Sequence, residues 1–200
     1  MSLGRAPIKQ WDERASRKHD TARPGCASEL EVMRRSAWVE SAVLRGQKAV
    51  TILWDIQKFY DNMSVDSIAT SAKALRFPMR SLALALPMYR SGRRLQNKGA
   101  VSREISRPSR SAVAGCAVAP SLARAVVTGM LAEVVEEGVE QFNHVDDVTQ
   151  IIIGPTTAEV VYKAVRAGKD LSRQVHDQGY RVSSKSAVLA SEKRGGANYR

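Results

Sequence analysis

Two adjacent carboxylates, Asp146 and Asp147, stand in the run His144-Val145-Asp146-Asp147, flanked by Gln141-Phe142-Asn143 and by Val148-Thr149-Gln150-Ile151-Ile152-Ile153. Side chains on a regular strand alternate between faces, so neighbouring aspartates converge only where the strand turns back. The pattern predicts a β-hairpin with both acids at its tip. Crowded like charges repel, and a hard divalent cation such as Mg²⁺, which prefers carboxylate oxygens, relieves the repulsion. An Asp-Asp pair on its own is more commonly a solvated acidic turn. What shifts the balance is a third carboxylate, Asp55, placed 91 positions upstream of Asp146 at the end of the apolar run Ala49-Val50-Thr51-Ile52-Leu53-Trp54.

That run is β-prone and almost uninterrupted, which predicts a central strand covered on both faces and leaves Asp55 at a strand-to-loop edge. Ser64 then reads as the N-cap of a helix carrying Val65, Ile68, Ala69, Ala72 and Leu75. Upstream, Ser28-Glu29-Leu30-Glu31 is a capping-box pattern, and Leu30, Met33, Ala37 and Trp38 give the following helix an apolar stripe up to Gly46. A helix over 79–92 contains Pro87, and residues 95–113 are expected to supply short strands. A helix near 119–137 carries Leu122, Val126, Met130, Leu131 and Val134. After the hairpin, Thr156 and Glu159 open another helix that Gly179 ends, and a last strand spans Ala187 to Ala190. This order predicts an α+β fold, a mixed or antiparallel sheet with helices packed on one face. Residues 1–25, polar and basic with little periodicity, are expected to form a flexible arm, 26–193 the folded domain and 194–200 a tail.

Four segments together resemble reverse transcriptases. Asp55-Ile56-Gln57-Lys58-Phe59-Tyr60-Asp61 is similar to the family's first palm motif, Asp-Leu-x-Lys-Ala-Phe-Asp, and Val145-Asp146-Asp147 to its Tyr-Ala-Asp-Asp box. Between them, Ala114-Gly115-Cys116-Ala117-Val118-Ala119-Pro120 keeps the glycine and last proline of Gln-Gly-Asp-Pro-Leu-Ser-Pro. Downstream, Gly179-Tyr180-Arg181-Val182-Ser183-Ser184-Lys185-Ser186 is similar to the segment that closes the palm. The motifs follow the family's order over about residues 25–191, in the manner of retroelement (non-LTR-like) enzymes. Ala114, Cys116, Ala117 and His144 depart from the usual residues. With the chain ending at Arg200, the expectation is a palm with partial fingers and no thumb.

The resemblance implies an RNA-directed DNA polymerase that adds deoxynucleotides to a primer by two-metal phosphoryl transfer. Asp55, Asp146 and Asp147 would hold two Mg²⁺ ions, with Mn²⁺ an alternative. Asp61 is read as structural. Tyr60 resembles the steric gate against a ribose 2′-hydroxyl, Lys185 the palm lysine near the phosphates, and Gly115 a close backbone approach to nucleotide or template. RNA template, DNA primer and deoxynucleoside triphosphates would be the partners. The alternatives are a catalytically silent nucleic-acid-binding remnant, favoured by the altered glycine motif and missing thumb, and a different two-metal nucleotidyl enzyme.

Charge agrees with a polyanionic partner, since 31 Lys+Arg against 20 Asp+Glu give a net charge of +11. Arg90, Arg93, Arg94, Lys98, Arg103, Arg107 and Arg110 face only Glu104 in their stretch and are candidates to line a nucleic-acid track. Such a run is also what a solvated face looks like. Cys26 and Cys116 form no metal-ligand or disulfide pattern, and the three histidines are scattered. No apolar stretch approaches the roughly 20 residues that cross a bilayer, and no signal-peptide core opens the chain. A soluble, intracellular protein with no membrane partner is expected.

Overall fold

The computed structural model describes residues 5–17, 20–22, 26–104, 109–113, 116–131 and 137–191. Their elements are, in chain order, α1 (Arg5–Ala15), α2 (Ser28–Leu44), β1 (Lys48–Trp54), α3 (Phe59–Asn62), α4 (Val65–Ala74) and α5 (Met79–Arg90). There follow β2 (Gln96–Asn97), β3 (Ala100–Val101), α6 (Ala119–Met130), β4 (Val139–His144), β5 (Asp147–Gly154), α7 (Thr157–Asp177) and β6 (Ala187–Ala190). They fall into two units, one of Arg17–Gln57 with Met130–Arg200 and one of Met1–Ser16 with Lys58–Gly129.

The first unit holds a four-stranded antiparallel sheet in the order β4-β5-β1-β6. Because side chains alternate, the pairs Val50↔Ile152, Ile52↔Gln150 and Trp54↔Val148 present one face, while Thr51↔Ile151 and Leu53↔Thr149 present the other. α7 covers the first face, where Val160 and Ala167 join Val50, Ile52, Val139 and Ile152 in a core, with Trp54 packed against it. Gln150 is fully buried there. Its amide is satisfied on both sides: Trp54 Nε1 donates to Oε1 at 3.0 Å and its Nε2 donates to Gln141 Oε1 at 2.9 Å. A buried amide left unpaired would cost about 1–3 kcal/mol, so this chain also fixes the strand register.

α2 lies along the opposite face. Val32, Val39 and Val43, at helical spacing, look across a groove of about 630 Å³ at Thr51, Leu53, Ile151 and Leu189. The expected stripe of Leu30, Met33 and Trp38 is instead exposed, and Ala42 is the helix's buried residue. The row of Val32, Val39 and Val43 lines the groove without being closed off, since Val32 and Val43 are exposed as well. Nor does Ser28 cap the helix: Ala27 occupies the N-cap and makes no side-chain bond. Thr156 does cap α7, accepting from Glu159 N at 3.3 Å.

In the second unit Ser64 caps α4 as expected, accepting from Ser67 N at 2.9 Å. Leu122 and Val126 of α6 are buried with Ile68, Phe77 and Leu82. β2 and β3 form a hairpin whose turn, Lys98-Gly99, has positive φ at both residues (46° and 86°), the geometry of a two-residue turn.

The expected flexible arm over 1–25 is structured where it is described. α1 buries Trp11, whose Nε1 donates to Leu75 O at 2.8 Å and whose ring meets Phe77 edge-on at 4.9 Å. Asp12 accepts from Ser121 Oγ at 2.8 Å and pairs with Arg124. In the sheet unit, Asp20 bridges to Asn143 and Thr21 N donates to Asn143 O at 2.8 Å, so this stretch lines the edge of β4. One tryptophan and a few backbone bonds suffice to order a stretch whose composition reads as polar. Gly115, Arg107, Val134 and the tail over 194–200 lie outside the described residues.

Candidate active site

β1 stops at Trp54, and the next backbone groups are taken up by a segment near the far end of the sequence. Asp55 N donates to Ser186 Oγ at 3.0 Å, and Ser183 N donates to Asp55 O at 2.8 Å. Ile56 bridges to Val182, and Gln57 N donates to Arg181 O at 2.9 Å. The same segment carries Lys185 to the wall shared with Asp55.

The hairpin between β4 and β5 closes through the pair His144↔Asp147, leaving Val145-Asp146 as a two-residue turn. The acids therefore divide: Asp146 is in the turn and Asp147 opens β5. Val145 takes φ = +58°, a left-handed conformation that a β-branched residue rarely adopts and that stores strain. Beyond the last β1–β5 pair, Trp54↔Val148, one further step of the register brings Asp55 level with Asp147.

The electrostatics follow from this crowding. The Asp146 carboxyl is pushed above its ordinary value by burial first, then by the charges of Asp147 and Asp55, against a backbone hydrogen bond and His144 that pull it down. Asp147 is raised in the same direction by burial and by Asp55, and His144 again opposes. Folding thus gathers negative charge from both ends of the expected set.

A pocket of about 370 Å³ opens at this point, with Asp55, Asp147, Lys185, Arg35 and His144 among its walls and Trp54 and Leu53 as its apolar side. Asp146 is not one of those walls, although its charge couples to both other acids. Among the described residues no three His, Cys, Asp or Glu side chains form a ready cation cage. The donors that do converge are hard carboxylate oxygens, the chemistry that suits Mg²⁺. That ion is usually held by one or two carboxylates, with waters and substrate phosphates completing its shell.

The remaining candidates lie in the helical unit. Tyr60 is half-buried, its ring edge-on to Phe59 at 5.8 Å and its carbonyl accepting from Ala112 N at 2.9 Å. Arg93 holds Ser111 through both terminal nitrogens, at 3.1 and 3.0 Å. Arg90 pairs with Asp66 at 2.8 Å and Arg94 with Glu104 at 4.0 Å. Arg110 forms a bridge with Ser64, while Lys98 and Arg103 are exposed. Sequence reasoning missed Arg35 and the bond of Ser186 to Asp55. The serine lies within the Gly179–Ser186 segment, whereas nothing local marks Arg35, which shares a helical row with Val32 and Val39 on the groove side of α2.

An antiparallel sheet that sets one acid at the end of its central strand and two at a neighbouring hairpin belongs to a distant reverse-transcriptase-like fold. Solved telomerase structures are similar to it. The apo telomerase of Candida tropicalis truncated from its C-terminal domain matches with a TM-score of 0.63 and 14% identity, over 94% of this chain and 40% of that one. The same organism's telomerase in complex with a TWJ fragment of telomeric RNA matches at 0.63 and 15%, over 96% and 34%. The corresponding Candida albicans complex matches at 0.59 and 13%, over 94% and 34%. The chain thus spans between 34% and 40% of the length of these structures. No protein-family model matches the sequence, and no curated protein matches it. No helix among the described residues is long and apolar enough to cross a membrane.

Proposed function

We propose that this chain is the palm part of an RNA-directed DNA polymerase, adding deoxynucleotides to a primer on an RNA template. The observation that carries the reading is the convergence of Asp55 and Asp147 on one pocket with Lys185, at the strand-and-hairpin edge of a reverse-transcriptase-like sheet. Asp55 and Asp147 would hold Mg²⁺, with Asp146 adding its charge. Bound there, the ions would supply charge stabilisation on the attacking and leaving oxygens. Lys185 would place a point charge beside the phosphates, and the apolar wall of Trp54 and Leu53 would keep bulk water off the acids. Tyr60 would select the sugar, and Lys98 and Arg103 would contact a nucleic-acid backbone. The RNA in two of the telomerase structures is in keeping with a nucleic-acid partner for this fold.

Primer extension with deoxynucleotides and Mg²⁺ tests this. Asp55→Asn is expected to lower the rate by at least about a hundredfold. Extension that survives both Asp55→Asn and Asp147→Asn would remove the metal assignment. A second reading, a silent nucleic-acid-binding remnant, is favoured by α2, which lies along the acid-bearing face of the sheet. RNA binding without extension in the wild-type chain would support it.

A further inference from the structure

Arg35 is the one cation in the acid pocket that comes from α2, and it is held in place without being neutralised. Its Nε donates to Glu31 O at 3.0 Å and its guanidinium lies over the Phe142 ring, 5.2 Å from the centroid. Its two terminal nitrogens make no hydrogen bond among the described residues. The side chain is therefore fixed by its stem and ring face while its fork stays open. Burial disfavours its charge, and only Glu31 offsets that. The pocket it lines also holds Asp55, Asp147 and Lys185, and its volume of about 370 Å³ falls in the range of small-ligand sites.

Two carboxylates and two cations in one pocket suit a ligand that is itself an anion carrying a divalent cation. A polyphosphate is such a ligand. The acids would take the cation, Lys185 would act as a point charge, and a planar guanidinium with two free nitrogens matches two oxygens of one phosphoryl group. The geometry points to Arg35 as a phosphate-positioning residue, whose open fork grips the polyphosphate chain of a nucleotide from the helix that precedes the first acid strand. This rests on the nucleotidyl-transfer reading above and adds to it a residue from outside every motif that suggested it.

The test is calorimetric titration of inorganic tripolyphosphate with excess Mg²⁺ into the whole chain. Wild type is expected to bind and Arg35→Ala to bind about tenfold more weakly, the loss of a charged hydrogen-bonding partner. Arg35→Lys, which keeps charge but not the fork, should recover only about a third of that factor. Phe142→Leu, which removes the ring that orients the guanidinium, should fall between wild type and Arg35→Ala. If Arg35→Ala does not fold, as thermal melts will show, Arg35→Gln keeps the stem and replaces it. No binding by wild type, or equal binding by wild type and the neutral variant, overturns the assignment. Primer extension separates the two claims: extension with an unchanged deoxynucleotide KM in Arg35→Ala sinks the role of Arg35 alone. An inactive wild type that still loses tripolyphosphate on Arg35→Ala sinks the polymerase reading and leaves the phosphate site standing.

Discussion

Val145 bends the hairpin at φ = +58°, where a residue without a Cβ would sit at ease. Strain of this kind costs about 1–3 kcal/mol, and glycine gives back part of the relief as unfolded-chain entropy. Val145→Gly is therefore expected to stabilise the chain by about 1 kcal/mol, read from the denaturant midpoint at unchanged slope. The acids beside it give a second expectation. Their carboxyls are raised in the fold, so they take up protons more tightly folded than unfolded. The sign follows: stability tied to them is complete below the ordinary carboxylate value of 3.8 and is lost as pH rises through the higher folded values. Asp146→Asn should thus stabilise the protein at neutral pH, with a gain that shrinks on acidification, as melts across a pH series would show. Adding Mg²⁺ should raise the melting temperature of wild type and leave Asp55→Asn much less affected. Asp55 and the Asp146-Asp147 pair were legible in the sequence because strand ends and hairpins announce themselves through short apolar runs. Which of the two hairpin acids faces the pocket was not, since that turns on a register offset of one residue.

The elements show the same division. Thr156 and Ser64 cap their helices as their neighbours indicate, and β6 runs over the residues its apolar pattern marks. α2 defeats that kind of reading because it carries a second apolar row, Val32, Val39 and Val43, and it is this row that lines the groove opposite Thr51, Leu53 and Ile151. The bonds that residues 181–186 make to Asp55, Ile56 and Gln57 were likewise invisible, as all but that of the Ser186 hydroxyl join backbone groups that have no residue signature. Ser186→Ala removes the side-chain acceptor of Asp55 N and is expected to cost about 1 kcal/mol in global stability. Hydrogen exchange should show the larger effect locally, with the amide of Asp55 losing protection while amides in the middle of β1 keep theirs.

For the molecule as a whole, charge sets the expected behaviour towards RNA. With a net charge of +11, affinity for single-stranded RNA should fall steeply as salt rises. Replacing Arg94, Lys98 and Arg103 together by alanine should flatten the plot of log affinity against log salt by about 2, at roughly 0.7 per lost phosphate contact. A slope equal to wild type would take these residues out of the interface. The α+β order was readable from the periodicity of the runs, but the anchoring of residues 5–17 and 20–22 was not, because it depends on Trp11 and on one edge of β4 meeting partners 64 and 122 positions away. The clamp on Asp55 carries a further consequence for the order of events during synthesis. Asp55 and the serine that secures it are separated by 131 positions, so a growing chain exposes its first acid long before the residues that fix it exist. The pocket is accordingly among the last features to mature, and a ribosome stalled short of residue 186 would display a tethered β1 with its aspartate still unplaced.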